Sequence, residues 1–234
     1  MGMIEPPSAN EAGETQNAAT LLAMADAFAR ELVASALPVR YRVAERDEER
    51  EAIYRLRNGT VVALGWAEPD SMPEGVERDQ FDADAMQVGG WDGEELIACA
   101  RVVFPTVGRP LPTEEAFRVE VSPRGEVVDV GRGIVAPAYR DEGRRIFMGL
   151  LATCWLELHG RGFSRMCGDA GPWLIDVYRG MGFQVEVLGE GRPYWGELRE
   201  PILIDGLASV RSVIDRLGGE TASPESRVPR SARS

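Results

Sequence analysis

The spacing of apolar residues along the chain changes period several times, and each change marks an element. Residues 1 to 16 are polar, carry Pro and Gly, and read as loose; 17 to 37 are Ala- and Leu-rich with a broad apolar face and read as a helix. Val39-Arg-Tyr-Arg-Val43 alternates as a strand does, and Asp47 is placed to cap a helix running to about Val62. The stretch from Gly65 to Arg78 contains two prolines and two glycines and reads as a long loop. Ala85 to Gly90 and Glu95 to Phe104 are strands joined through Trp91-Asp92-Gly93, a hairpin signal, and Val127 to Val135 is another strand. From Arg140 to His159 the period becomes helical: Phe147, Leu150, Leu151, Cys154, Trp155 and Leu158 form one stripe, which Gly160 and Gly162 end. A strand from Phe163 to Cys167, a short helix from Pro172 to Gly180, and strands at Gln184 to Leu188 and Pro201 to Asp205 follow. Residues 219 to 234 have the composition of a disordered tail.

The order β-α-β-β-β-α-β-α-β-β predicts an α/β layer, with helices packed against a mixed sheet. The expected organisation is an N-terminal extension over 1–38 with one helix, a main domain over 39–205, and a short helix and tail over 206–234. The role of the first helix is open: it can cover the sheet or pair with another subunit.

With 44% hydrophobic residues in 234, the chain can bury a full core. Asp+Glu 38 against Lys+Arg 26 leaves a net charge of -12, which argues against a nucleic-acid partner, because binding a phosphate backbone runs on clustered basic residues. Cys99, Cys154 and Cys167 fit no zinc or redox spacing and read as buried thiols in a reducing cytoplasm. His159 is the one histidine, sits at a helix end before Gly160, and cannot build a multi-histidine metal site; no metal is expected. No segment is long and apolar enough to span a bilayer, and the N-terminus lacks the basic region of a signal peptide.

Two features of the second half carry chemistry. In Val130-Gly-Arg-Gly-Ile-Val-Ala-Pro-Ala-Tyr-Arg-Asp-Glu-Gly-Arg-Arg145, a strand with two glycines runs through a proline turn into a helix that opens with Arg140, Gly143, Arg144 and Arg145. Free N–H groups at such a helix start favour an anion, and the glycines hint at a bulge exposing backbone N–H groups to an extended ligand. Ile134 and Val135 are the candidates to line that ligand. Further on, Tyr178-Arg-Gly-Met-Gly-Phe183 stops a helix and starts a strand, setting the Tyr178 hydroxyl near the sheet end, where a phenol can protonate a leaving thiolate.

Together these segments resemble the GNAT acyltransferase superfamily, whose members carry an Arg/Gln-x-x-Gly-x-Gly/Ala turn over the donor pyrophosphate and a later Tyr-x-x-x-Gly-Phe segment. Arg140 and Gly143 match the first motif, Arg145 stands where the family has Gly or Ala, and Tyr178, Gly182 and Phe183 match the second. The resemblance, over residues 39 to 205, implies a mostly antiparallel central sheet flanked by helices and split after the fourth strand.

The first half packs carboxylates closely in Glu77-Arg-Asp79-Gln-Phe-Asp82, with Arg57 and Trp66 upstream, and Arg101 before Pro105, Phe117 and Asp129-Val-Gly-Arg132 downstream. Such carboxylates and arginines can pair across a cleft to order a loop, or hold an amino acid by its charged ends. This pattern resembles the acyl-homoserine-lactone synthases within the GNAT superfamily, and also the related long-chain N-acyl amino acid synthases. Asp129 stands in place of a Glu, Val61 in place of a Phe, and Trp66 is offset by one residue.

The resemblance implies transfer of an acyl group, fatty by preference, from an acyl-coenzyme A or acyl-carrier-protein co-substrate to the amine of a small amino-acid-like acceptor. No permanently bound cofactor is expected. Glu77 or Asp129 is the candidate base and Tyr178 the candidate acid. Arg140, Arg144 and Arg145 are the candidates for the donor phosphate and, with Arg118 and Arg124, for docking an acidic carrier protein. Arg57, Trp66, Asp79, Asp82, Arg101, Phe117 and Arg132 form the acceptor pocket or a bracing network. Two alternatives are an ordinary acetyl-coenzyme A N-acetyltransferase and a non-catalytic ligand sensor.

Overall fold

The computed structural model describes residues 9–221. These residues form an open, mostly antiparallel eight-stranded sheet flanked by helices. In chain order the elements are α1 (Ala9–Ser35), β1 (Arg40–Val43), α2 (Asp47–Ala63), β2 (Met86–Asp92), β3 (Glu95–Val103), α3 (Pro112–Phe117), β4 (Val127–Val135), α4 (Gly143–His159), β5 (Arg165–Ala170), α5 (Pro172–Gly180), β6 (Val185–Val187), β7 (Arg192–Tyr194), β8 (Glu197–Asp205) and α6 (Gly206–Thr221). The sheet order is β1-β2-β3-β4-β5-β8-β6, with β7 paired to β8.

Strand alternation sends the two faces of the sheet to different helices. On β3, Ala98, Ala100 and Val102 join Ile146, Leu150 and Leu158 of α4 in the main core, while Cys99 turns to Ile53 and Tyr54 of α2. The same alternation on β4 puts Val128 in the α4 core and Val127 in a cluster with Leu111 and Val121. Helices α2 and α4 therefore lie on opposite faces.

The pairing of β4 with β5 is parallel and brief. Val127, Val128 and Asp129 face Arg165, Met166 and Cys167, and there the ladder stops. Beyond it β4 stays with β3, and Gly168, Asp169 and Ala170 of β5 go with β8, so a wedge opens between the two strands. A bulge sits at the rim of this wedge. Cys99 and Arg101 of β3 pair with Ile134 and Gly131, so β4 carries an extra residue there, and Arg132 takes a left-handed φ of 56°. In regular alternation Arg132 would share the face of Val130; the extra residue turns it to the α2 side.

Several elements differ from the sequence reading. Helix α1 begins at Ala9, not residue 17, because Glu, Ala and Gln continue the helical run through residues read as loose. A 3-10 turn at Pro137–Glu142 precedes α4, which therefore starts at Gly143 rather than Arg140. The one-turn α3, with Pro112 in its first turn, had no periodic signal. Strand β7 and the first half of β8 were missed because Pro193 and Pro201 read as breakers; β7 is an edge strand, where a missing donor is tolerated. Helix α6 continues through Thr221, past the predicted onset of a tail; the tail from 222 and the loose start over 1–8 lie outside the described residues.

Gly182, between α5 and β6, has φ +98°, and a Cβ there would stand 2.5 Å from the carbonyl oxygen of Ser212 in α6. The motif glycine thus lets α6 close against the α5–β6 turn. Gly182→Ala is expected to lower stability by more than about 1 kcal/mol; an unchanged urea midpoint would contradict this packing.

Candidate acyl-transfer site

The site begins with the carboxylates at 77, 79 and 82. The loop carrying them crosses the α2 face, where Arg57 from α2, Arg101 from β3 and Arg132 from the β4 bulge converge. Arg57 is fully buried; its Nε donates to Glu77 and its two terminal nitrogens grip Asp82 at 2.7 and 3.1 Å. Arg101 donates to Asp79 at 2.7 Å and lies 3.2 Å from Asp82. Arg132 donates through Nε to Glu77 at 3.2 Å and through a terminal nitrogen to Asp79 at 3.1 Å. Asp82 also accepts from the Asp79 N–H at 2.8 Å and the Gln87 amide at 2.9 Å.

Burial by itself pushes the Asp82 carboxyl up, but the hydrogen bonds and charge of Arg57, with help from Arg101 and the Asp79 N–H, hold it down at about 2. Burial likewise opposes the charge on Arg57, and Asp82 and Glu77 more than reverse it. Each charge is kept ionised by its neighbours, so removing one strands another.

Asp129 does not pair with Arg132. Its carboxylate accepts from the Thr113 N–H at 2.8 Å and the Thr113 hydroxyl at 2.6 Å, at the start of α3, with the Cys167 thiol 3.7 Å away. Burial raises its pKa, partly offset by Thr113. The candidate base Asp129 is thus tied to α3, an element the sequence reading did not include.

A second cluster, from the β7–β8 hairpin, escaped the sequence reading. The Arg132 guanidinium lies 4.9 Å from the Trp195 ring centre, and Arg199 lies 5.0 Å from that of Trp66. Arg199 is fixed by Asp169 and Glu197, each at 2.9 Å. Phe117 packs edge-on to Tyr194, 5.5 Å between centres, and supports the hairpin. The one available signal was Tyr194-Trp195-Gly196, a turn carrying two aromatic residues.

These groups border a cavity of about 920 Å³. Thr60, Trp66, Glu77, Arg132, Trp195 and Arg199 line its charged end on the α2 side. It continues through the wedge, between Val130–Val135 of β4 and Met166–Asp169 of β5, and extends into an apolar chamber bounded by α1, α4, α5 and α6. Asp129 and Phe117 are not on its wall.

Of the expected donor-binding residues, Ile134, Val135, Gly143 and Arg144 line the cavity. The Ala136 N–H donates to Ile97 in the β3 ladder, so by antiparallel alternation the Val135 N–H turns away from β3 toward the wedge, while the backbone of Ile134 faces β3. Helix α4 opens without a side-chain cap, and the partial positive charge of a helix start favours an anion. Arg140 contributes backbone to the preceding 3-10 turn. Arg145 is occupied elsewhere: it donates to the Ser35 and Leu37 carbonyls at 3.2 and 2.7 Å, at the end of α1, and pairs with Glu142. Unsatisfied carbonyls at a helix C-terminus attract a cation, which is the physical reason.

Tyr178 lines the cavity on α5, edge-on to Phe183. Burial raises its pKa, and the charges of Asp169 and Cys154 add to the rise, so it is a phenol at neutral pH. Its hydroxyl makes no hydrogen bond among the described residues. Among those residues no cluster of His, Cys, Asp and Glu could hold a metal ion, and no helix is long and apolar enough to cross a membrane.

Residues 56–151 match the family model of the acetyltransferase (GNAT) domain. Solved structures share the fold. The coenzyme A-dependent acyl-homoserine lactone synthase BjaI, solved with SAM and isopentyl-CoA, superposes with a TM-score of 0.61 at 22% identity, over 74% of this chain and 83% of that one. TofI, solved with an inhibitor and MTA, gives 0.59 at 25% identity, over 74% and 96%. FeeM, an N-acyl amino acid synthase from uncultured soil microbes, gives 0.58 at 19% identity, over 76% and 98%. A search of curated protein sequences returned no match. Residues 56–151 thus match a GNAT acetyltransferase domain, and the fold resembles that of these synthases; together the two support an N-acyltransferase.

The acid dependence of the arginine–carboxylate network is testable. The folded pKa of Asp82, about 2, lies below the ~3.9 of a free aspartate. Its contribution is therefore complete above about pH 5 and is lost as pH falls toward about 2, an effect on the order of 2 kcal/mol. Asp82→Asn is expected to cost about 3 kcal/mol at neutral pH and to flatten the acid limb. Urea unfolding across that range measures both; equal acid slopes in the two proteins would sink the assignment.

Proposed function

We propose that the chain transfers a fatty acyl group from a coenzyme A or carrier-protein thioester to the amine of a small, amino-acid-like acceptor. The observation that carries this reading is the single cavity running from a charged end, through the β4–β5 wedge, into an apolar chamber. An acetyl group would use a small part of that chamber, and the cavity as a whole, about 920 Å³, lies within the ~300–1,000 Å³ of sites that bury a drug-sized ligand.

In this reading the thioester lies in the wedge beside the Val135 N–H, which stabilises the developing oxyanion. The α4 N-terminus and Arg144 receive the donor phosphate. Glu77, the carboxylate of the 77–82 network on the cavity wall, faces the acceptor amine and takes its proton, directly or through a water. The amine nitrogen bonds to the thioester carbonyl carbon, the carbon–sulfur bond breaks, and the departing thiolate takes the Tyr178 proton. Trp66, Trp195 and Arg199 bound the acceptor, and Arg57, Arg101, Asp79 and Asp82 hold Glu77 and Arg132 in place.

Mass spectrometry of the organic extract from a bacterium overexpressing the chain tests the substrate class. N-acylated amino acids or homoserine lactones, absent from the empty-vector control, are expected; only short N-acetylated amines would replace the fatty-acyl assignment. With the substrates in hand, Tyr178→Phe is expected to lower kcat about a hundredfold with little change in KM. Unaltered turnover would remove Tyr178 from the acid role.

A further inference from the structure

One wall of the apolar chamber comes from the N-terminal helix, ahead of the matched residues. Helix α1 runs antiparallel along α4 and also packs on α6. Ala25, Phe28, Ala29 and Leu32 of α1 face the cavity. The hydrophobic cluster containing Phe28, Leu32, Met148, Met181, Val213 and Leu217 is made entirely of cavity-lining residues. It surrounds the open space instead of filling it, whereas a core formed for stability alone packs to crystal-like density.

Two polar clasps hold α1 in that position. At one end Asp26 accepts from the Trp155 indole at 3.0 Å and meets His159 Nδ1 at 2.8 Å, both on α4. At the other, Arg145 of α4 binds the carbonyls of Ser35 and Leu37. The clasps bracket Phe28 and Leu32, so the helix is fixed on both sides of the residues it presents to the chamber. Phe28 has the largest side chain on this wall and is itself buried.

We infer that α1 is a wall of the acyl-binding chamber and that Phe28 is a specificity-determining residue that sets the acyl length accepted. This rests on the fatty-acyl reading above. Truncating the ring lengthens the chamber; enlarging it shortens the chamber. Each methylene newly accommodated improves affinity about fourfold, and each one excluded forfeits the same factor.

The test is direct binding, independent of turnover. The full chain, Phe28→Ala and Phe28→Trp are titrated with straight-chain saturated fatty acids from hexanoate to octadecanoate, by displacement of an environment-sensitive naphthalene dye. Thermal melts select variants that remain folded, and Phe28→Leu substitutes where Phe28→Ala does not. The expected result is a length optimum in the unaltered protein that moves to longer acids in the smaller-residue variant and to shorter acids in Phe28→Trp. An optimum that stays fixed in folded variants overturns the role of α1 and Phe28 and leaves the fatty-acyl reading intact. Absence of binding at every length by the unaltered protein overturns both.

Discussion

The brevity of the β4–β5 pairing governs the rest of this structure. Parallel strands held over three residues and then released leave two rows of backbone groups facing a gap. That gap is polar along its edges and opens toward a different set of helices on each face of the sheet. A ligand with an amide-bearing arm and a hydrocarbon end matches both properties. The bulge at Arg132 belongs to the same device, because the extra residue that turns Arg132 toward Glu77 also ends regular pairing on that side of β4.

Holding such a gap open needs rigidity on its rim, and the arginine–carboxylate network provides it at a site where hydrophobic packing alone would tend to collapse. Taking so many charges out of water is unfavourable, and their mutual pairing is what makes it tolerable. The network joins α2, the 77–82 loop, β3 and β4 into one body. Of its carboxylates, Glu77 alone lies on the cavity wall. In the proposed function, structural and chemical roles meet in that one side chain, whose environment is fixed by residues a full loop away.

What the sequence made legible follows from the range over which each signal acts. The α4 stripe, the β2–β3 hairpin and the glycines of β4 are local patterns, and all three appear as elements or as the bulge. The carboxylates at 77, 79 and 82 and the arginines at 57, 101 and 132 could be grouped by charge before their contacts were visible. Asp129 reads as a candidate base from its place in the chain; its carboxylate goes instead to Thr113, on a short helix that leaves no periodic trace. Arg145 reads as a phosphate ligand from its place at a helix start, and only the return of α1 shows which carbonyls it serves. Trp195, Arg199 and Asp169 enter through strand pairing between distant segments, which no short-range pattern encodes.

The chamber's walls also order events in time. Helices α1 and α6 pack together although nearly the whole described chain separates them. Contacts so distant in sequence close a long loop and form late in folding. During synthesis α1 emerges before α4 and long before α6, so the apolar faces that later enclose the cavity stay exposed while the sheet assembles. The nascent protein thus carries the sticky surface of its own apolar chamber, and completion of α6 turns that hazard into an interior.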